Sequence, residues 1–403
     1  MVIFMKLLSK RAITKVQSIL LTIIVIIGIV GVYYYSISQP TQLPQTIKIG
    51  FFAPLTGPAS ADGYAALNAA LLAVSHINAK GGVLGKNLEL VYYDDALNPD
   101  QAIAIARKLI SDDKVVAAVS GSYSGTTLAA SIVFNSSGIP LVSSYAVHPD
   151  ITKNKPWVFR VGMLGEVEGK VAGYIAVSKL GARRIAVLYD DIPFGQTLAS
   201  SFKAEVESLG ANVVYYDKFS DKERDFTAWL TQIKAIPNLD LLAIFGYYYH
   251  SAVLVQARNL GITVPIIGAE GFDSPKLIEL AGKAAEGVYI VTDLDRDSKS
   301  PIVQKFLADY KNRTGIEADM VAASAYDAVT ILAKAIENAG SIDPQAIKNA
   351  LSKIQNFEGV TGLIQGFTAQ RNAIKNIVVQ VVQNGKFHFY AEVTDPKIIT
   401  PPY

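Results

Sequence analysis

From residue 47 onward, short apolar runs alternate with longer stretches whose apolar positions recur at helical spacing. A strand over 47–52 and a turn at 54–58 lead into a helix over 62–79, with Leu67, Leu71, Val74 and Ile77 on one side. Asn78 and Gly81-Gly82 close that helix. The alternation continues with a strand over 88–93, a helix over 99–111, a strand over 115–120, a helix from 125 and a strand over 140–143. A second series repeats it: strand 185–189, helix 196–209, strand 212–216, helix 225–235, strand 239–245, helix 250–260, strand 264–268. Helices follow over 301–313, 320–339 and 343–354, and 377–382, Asn384-Gly385 and 387–391 predict a closing hairpin with a type I′ turn. Strands alternating with helices predict an α/β protein with parallel sheets covered on both faces. Two similar series, over more chain than one open sheet of ordinary width uses, predict two lobes.

Ahead of this region, residues 16–37 carry no charge over roughly the 20 residues that a spanning helix needs. Lys6, Lys10, Arg11 and Lys15 precede the run and Tyr33 to Tyr35 follow it, so the bulk of the chain is expected outside, behind a basic leader over 1–15. A cleaved signal peptide is the alternative to an uncleaved anchor; the run exceeds a usual signal core and no clear Ala-x-Ala site follows. Residues 38–46, with Pro40 and Pro44, read as a short, stiff spacer.

Composition narrows the classes. Half of the 403 residues are apolar and 18% are charged, enough for packed cores and too ordered a mixture for a disordered chain. A net charge of +2, with basic residues gathered near the start, gives no footprint for nucleic acid. Without cysteine there is no disulfide, thiolate metal site, cysteine nucleophile or lipid-modified cysteine. His76, His148, His250 and His388 show no metal-ligand spacing, and no cofactor is indicated.

In parallel sheets, ligands sit beyond the carboxyl ends of the strands, which singles out loops 54–63, 121–125, 144–148, 190–195, 246–250 and 269–273. Several of these loops carry recognisable residues. Ala53-Pro54-Leu55-Thr56-Gly57-Pro58, His76-Ile77-Asn78-Ala79-Lys80-Gly81-Gly82, Tyr93-Asp94-Asp95 and Asn98-Pro99 are similar to the opening of the branched-chain amino-acid-binding family of periplasmic proteins. Ser137-Gly138-Ile139-Pro140, Phe194-Gly195, Gln256-Ala257-Arg258, Gly268-Ala269-Glu270-Gly271, Ala325-Tyr326-Asp327-Ala328 and Gly359-Val360-Thr361-Gly362 continue the resemblance in order. It implies two Rossmann-like lobes joined by three crossovers, 46–162 plus 293–363 and 163–292 plus 364–399. It also implies a cleft that closes on a small solute, an amino acid or related compound, and delivery to an ABC permease.

The resemblance assigns the ligand carboxylate to the loop Ser122-Tyr123-Ser124-Gly125, where the helix that follows offers unpaired N–H groups. Ser124 is the expected contact, with a helix N-cap as its plainer role. Glu270 matches the acidic partner of the ligand ammonium, against an exposed loop charge. Tyr247, Tyr326 and Phe194 match aromatic positions; which of Tyr247, Tyr248 and Tyr249 faces inward is open, and Tyr326 also fits a helix core. The chain departs from the family at Tyr145-Ala146-Val147. Val147 stands where a small Ser or Thr helps hold the amino group and cannot accept its hydrogen bond, Tyr145 narrows the pocket, and His148 next door either accepts that bond or caps the loop. Asp62 is either an N-cap or a second acidic contact.

Other functions fit less well. Ser124, His148 and Glu270 could be imagined as a hydrolase, but Gly121-Ser122-Tyr123-Ser124-Gly125 puts Tyr where a nucleophile elbow needs Ser. The run from Gly82 to Asn87 is too short for a phosphate-binding loop and has Asn87 where Ser or Thr belongs. A receptor ectodomain of the same fold is the alternative to transport. It would need a separate signalling subunit, because only a short leader precedes the apolar run.

Overall fold

A computed structural model describes residues 22–29 and 46–402. The chain divides into two compact units, Met1–Gln45 and Thr46–Tyr403. In the first unit residues 22–29 are helical with exposed side chains. The rest of the expected span over 16–37, the leader 1–15 and the spacer up to Gln45 lie outside the described residues. Among the described residues no helix is long and apolar enough to cross a membrane.

The second unit holds two parallel sheets of the same winding. The first has strands β1 (Thr46–Ala53), β2 (Asn87–Asp94), β3 (Ala117–Ser120), β4 (Leu141–Ser143) and β5 (Val158–Arg160) in the order β2-β1-β3-β4-β5. The second has β6 (Arg184–Asp190), β7 (Asn212–Phe219), β8 (Leu241–Phe245), β9 (Ile266–Gly268) and β10 (Val288–Thr292) in the equivalent order β7-β6-β8-β9-β10. Three short strands, β11 (Phe357–Gly359), β12 (Gly362–Phe367) and β13 (Ala373–Lys375), form a separate antiparallel sheet. The hairpin of β14 (Ile377–Gln383) and β15 (Lys386–Val393) extends the second sheet antiparallel to β10. In that hairpin Asn384 and Gly385 have φ of 53° and 69°, the two left-handed residues of the expected type I′ turn.

Strand side chains alternate between faces, and both faces are buried. Ile47, Ile49 and Phe51 of β1 point into the core that runs through both sheets, whereas Phe52 points into a smaller one with Leu109 and Phe134. Helix Met320–Ala339 packs along helix Ser60–Ala79, and most of its residues are buried because small alanines let the two backbones approach.

Several residues of the motifs turn out to be joints of the scaffold. Asn98 caps helix Pro99–Ser111 by accepting from Asp100 and Gln101 N–H, with Pro99 in the first turn. The Asn78 side chain pairs with both the N–H and the C=O of Leu88. Asp94 accepts from the N–H of Leu55 and Thr56 and from the Thr56 hydroxyl, which fixes the loop after β1. Asp327 accepts from Val360 N–H, Thr361 N–H and Thr361 Oγ1, and so holds the turn between β11 and β12.

Candidate functional site

In each sheet the strand order reverses at one place, between β1 and β3 in the first and between β6 and β8 in the second. Neighbouring strands send their loops to opposite sides there, which leaves a crevice beyond their carboxyl ends. The chain leaving β1 and β3 enters helices whose first turns carry Asp62 and Ser124; after β6 the first turn of helix Pro193–Ser208 carries Phe194, and the loop after β8 carries Tyr247. The loop after β9 adds Glu270, and the loop after β4 adds Tyr145, Ala146 and Val147.

The two crevices meet. Tyr123 stacks on Tyr247 with ring centroids 4.2 Å apart and planes 7° from parallel, and Phe194 stacks on Tyr247 at 4.5 Å. Tyr145 stands edge-on to Tyr123 at 6.0 Å and donates its hydroxyl to Gly121 O. Gly271 makes the stack possible, since a Cβ there would lie 2.5 Å from Gly246 O and 3.1 Å from the Phe194 ring. A second bridge runs from the Tyr248 hydroxyl to Pro58 O, 2.8 Å, while the Tyr249 hydroxyl donates to Asp221 at 2.8 Å. Tyr247 is therefore the member of the triplet that faces across, with Tyr248 beside it. A cavity of about 200 Å³ remains between Leu97, Tyr123, Ser124, Phe194, Tyr247 and Tyr249.

Ser124 opens helix Ser124–Ser137 but is not its N-cap, a position held by Tyr123 without any side-chain bond. Its Oγ instead accepts from Val147 N–H at 3.2 Å and His148 N–H at 3.3 Å. With two donors on its lone pairs, the hydroxyl proton points elsewhere, free to meet an anion at the helix N-terminus. Val147 is fully buried against Gly165, so it closes a wall. Ala146 is buried too, but its contacts belong to the smaller core of the first sheet, not to the stack. His148 caps the short helical turn Pro149–Ile151 through Nδ1, as its loop role required.

Asp62 is likewise no N-cap, since helix Ser60–Ala79 is capped at Ala59. It lies in the first turn, buried, with Oδ2 accepting from the Tyr123 hydroxyl at 2.7 Å and Oδ1 without a partner. Burial, reinforced by the carboxylate of Asp319, pushes its proton affinity well up. Glu270 is buried, not an exposed loop charge, and its Oε2 has no partner. Beside it is Glu168, which the sequence did not mark: its Oε1 accepts from Glu270 N–H at 2.7 Å, and its Oε2 is unpartnered. Burial lifts Glu168 to about 8, and burial together with the Glu168 carboxylate also raises Glu270 well above the usual carboxylate range. Unpaired buried carboxylates are costly, so these oxygens need a proton or an incoming cation.

Tyr326 does not join this group. Its hydroxyl meets His76 Nδ1 at 2.9 Å and its ring lies against Phe306, away from the stack, because helix Met320–Ala339 turns that face toward helix Ser60–Ala79. The motif around it is explained by its neighbour Asp327.

Asp190, Asp221 and His250 approach one another closely enough to suggest a metal. His250 Nδ1 accepts from Tyr247 N–H, which leaves Nε2 protonated and donating to Asp221 O, so the ring offers no lone pair to an ion. The hydrolase arrangement fails on the same kind of count, because His148 Nδ1 is taken by Asp150 N–H and Ser124 Oγ by two amides.

The family model for periplasmic binding proteins matches residues 46–386. The chain belongs to that family. A binding protein for leucine, isoleucine, valine, threonine and alanine from Pseudomonas aeruginosa is 32% identical over 336 residues, 82% of this chain and 88% of that one. A leucine-specific-binding protein from Salmonella typhimurium is 31% identical over 322 residues, 78% of this chain and 85% of that one. Among solved structures, a leucine-binding protein from Thermotoga maritima superposes with a TM-score of 0.82 at 32% identity, covering 87% of this chain and 99% of that one. The isoleucine-bound branched-chain amino acid transporter substrate-binding protein of Streptococcus pneumoniae gives 0.80 at 31% identity, covering 86% and 99%. The chain is thus a binding protein of the transport type and not an enzyme.

Proposed function

We propose that this protein captures an amino acid or a closely related solute outside the cell and hands it to an ABC permease. The observation that carries the reading is complementarity across the crevice. The Ser124 hydroxyl and the first turn of its helix, on the first sheet, suit a carboxylate; the unpartnered Oε2 of Glu270, on the second, suits an ammonium. Relatives whose names specify leucine, isoleucine, valine, threonine or alanine support the same solute class.

The two lobes of this reading are 46–162 plus 293–363 and 163–292 plus 364–399, a division supported by the strands of the first sheet, which end at Arg160, and by the return of β14 and β15 to the second. A solute touching both lobes favours the closed state by its extra affinity for it, and the permease reads that closed state. Val147 leaves the ammonium to Glu270 and Glu168. The apolar run over 16–37 holds the protein at the membrane, with the soluble part extracellular or periplasmic; carbonate-washed membranes retaining the chain would support this, and release of the chain would oppose it.

Mass spectrometry of solute released by denaturing the purified protein tests the central reading. An amino acid or amino-acid-like compound at near-equimolar amount is expected, and a solute lacking an amino group would overturn the assignment.

A further inference from the structure

Resting on the solute-binding reading above, we propose that the cleft is built for a solute with two cationic centres, a basic amino acid of the lysine, ornithine or arginine class. Its α-ammonium is held by Glu270 and its side-chain cation by Asp62.

One cation would leave a second buried acid unmatched. Glu270, with Glu168 behind it, already supplies an acidic site for one ammonium. Asp62 is a second, separate acid, 4% exposed, on the loop side of the other sheet. Only its Oδ2 is used, by the Tyr123 hydroxyl. The charges that weigh most on it are further carboxylates, Asp319 and Asp273. Arg296, the cation that acts on the neighbouring Asp319, is itself paired with Asp273. Asp319 is buried too, and its Oδ1 caps helix Met320–Ala339 by accepting from Ala322 N–H.

Beside a neutral aliphatic side chain Asp62, already buried, keeps Oδ1 unpaired and stays there only by holding a proton. An ammonium or guanidinium satisfies that oxygen and offsets the local negative charge. The rings agree with this choice. Tyr123, whose hydroxyl meets Asp62, packs against both Tyr145 and Tyr247, and aromatic faces attract cations as well as alkyl stems. Asp62 thereby sets the side-chain specificity, while Ser124 and Glu270 recognise the amino-acid backbone.

The test is isothermal titration of the full chain, in detergent, with lysine, ornithine, arginine, norleucine and leucine, repeated on Asp62→Asn. Norleucine keeps most of the lysine chain and lacks its terminal ammonium. The basic solutes are expected to bind at least about 100-fold tighter than norleucine, the lower end of the loss expected when a buried carboxylate goes unpaired. Asp62→Asn retains an acceptor for Tyr123 and is expected to erase most of that preference. Norleucine or leucine binding as tightly as lysine to the unaltered protein would overturn the two-cation cleft while leaving solute capture intact. Absence of binding by all five would overturn the two-cation cleft, and solute capture with it only if no other common amino acid bound.

Discussion

The rings of Tyr123 and Tyr247 lie face to face, 4.2 Å between centroids, although one follows a strand of the first sheet and the other a strand of the second. The contact joins loops that no local sequence pattern links, and Phe194 extends it on the Tyr247 side. Stacked pairs contribute roughly 0.5–1.5 kcal/mol beyond the area they bury. Replacing Tyr247 by Leu is therefore expected to weaken solute binding about 3- to 10-fold, as measured by titration calorimetry, with a small change in unfolding midpoint. Unchanged affinity would mean that the stack does not hold the closed state.

Ser124→Ala removes the acceptor of two buried backbone N–H groups, those of Val147 and His148. Each orphaned donor costs about 1–3 kcal/mol, and the loop over 145–148 loses its anchor. Urea unfolding of the variant is expected to show a stability loss of at least about 2 kcal/mol, the sum of two such groups at the low end, even without solute. Ser124→Thr, which keeps the hydroxyl, is expected to lose much less.

Asp327→Ala should be among the most damaging single changes. It strips three donors of the Val360-Thr361 turn and disturbs Lys375, which donates to Thr361 as well as to Asp293. Breaking such a buried network costs about 3–5 kcal/mol. Denaturant midpoints measure it; a loss below about 1 kcal/mol would contradict the structural role given to this motif.

The buried acids predict a pH dependence with a definite sign. Burial raises Glu168 to about 8 and Asp319 to about 7, while the same groups titrate near ordinary carboxylate values when unfolded. The folded chain thus holds protons that the unfolded chain has released. Stability from these groups is fully present below about pH 4 and is lost as the pH climbs through 7 to 8. Solute binding has the opposite trend, because an ammonium prefers ionised Glu168 and Glu270, so affinity should rise from pH 5 to 8 with proton release. Calorimetry in buffers of different ionisation enthalpy measures that release; proton uptake would contradict the assignment.

How much of this was legible in the sequence depended on whether the signal was local. The Asn384-Gly385 turn was readable because a type I′ turn needs two left-handed residues and the sequence names them. The carboxyl-end loops were readable because helix–strand alternation implies parallel sheets, and Ser124, Phe194, Tyr247 and Glu270 stand on them. Roles were less readable than places. Ser124 and Asp62 each looked capable of capping a helix, and neither does, because Oγ and Oδ2 answer to residues 23 and 61 positions away. Glu168 gave no signal, since it lies on helix Gly165–Tyr174 and reaches the site only through Glu270 N–H. Tyr326 misled through a motif whose working member is Asp327. The small antiparallel sheet of β11, β12 and β13 also escaped, its strands being too short for a period of two to register.

Titration calorimetry of the full chain against the common amino acids is the decisive measurement of solute capture. Saturable, roughly one-to-one binding of at least one of them is expected, with a Kd below about 100 μM and no chemical change in the recovered solute. No heat with any of them, or turnover of the bound compound, would contradict it.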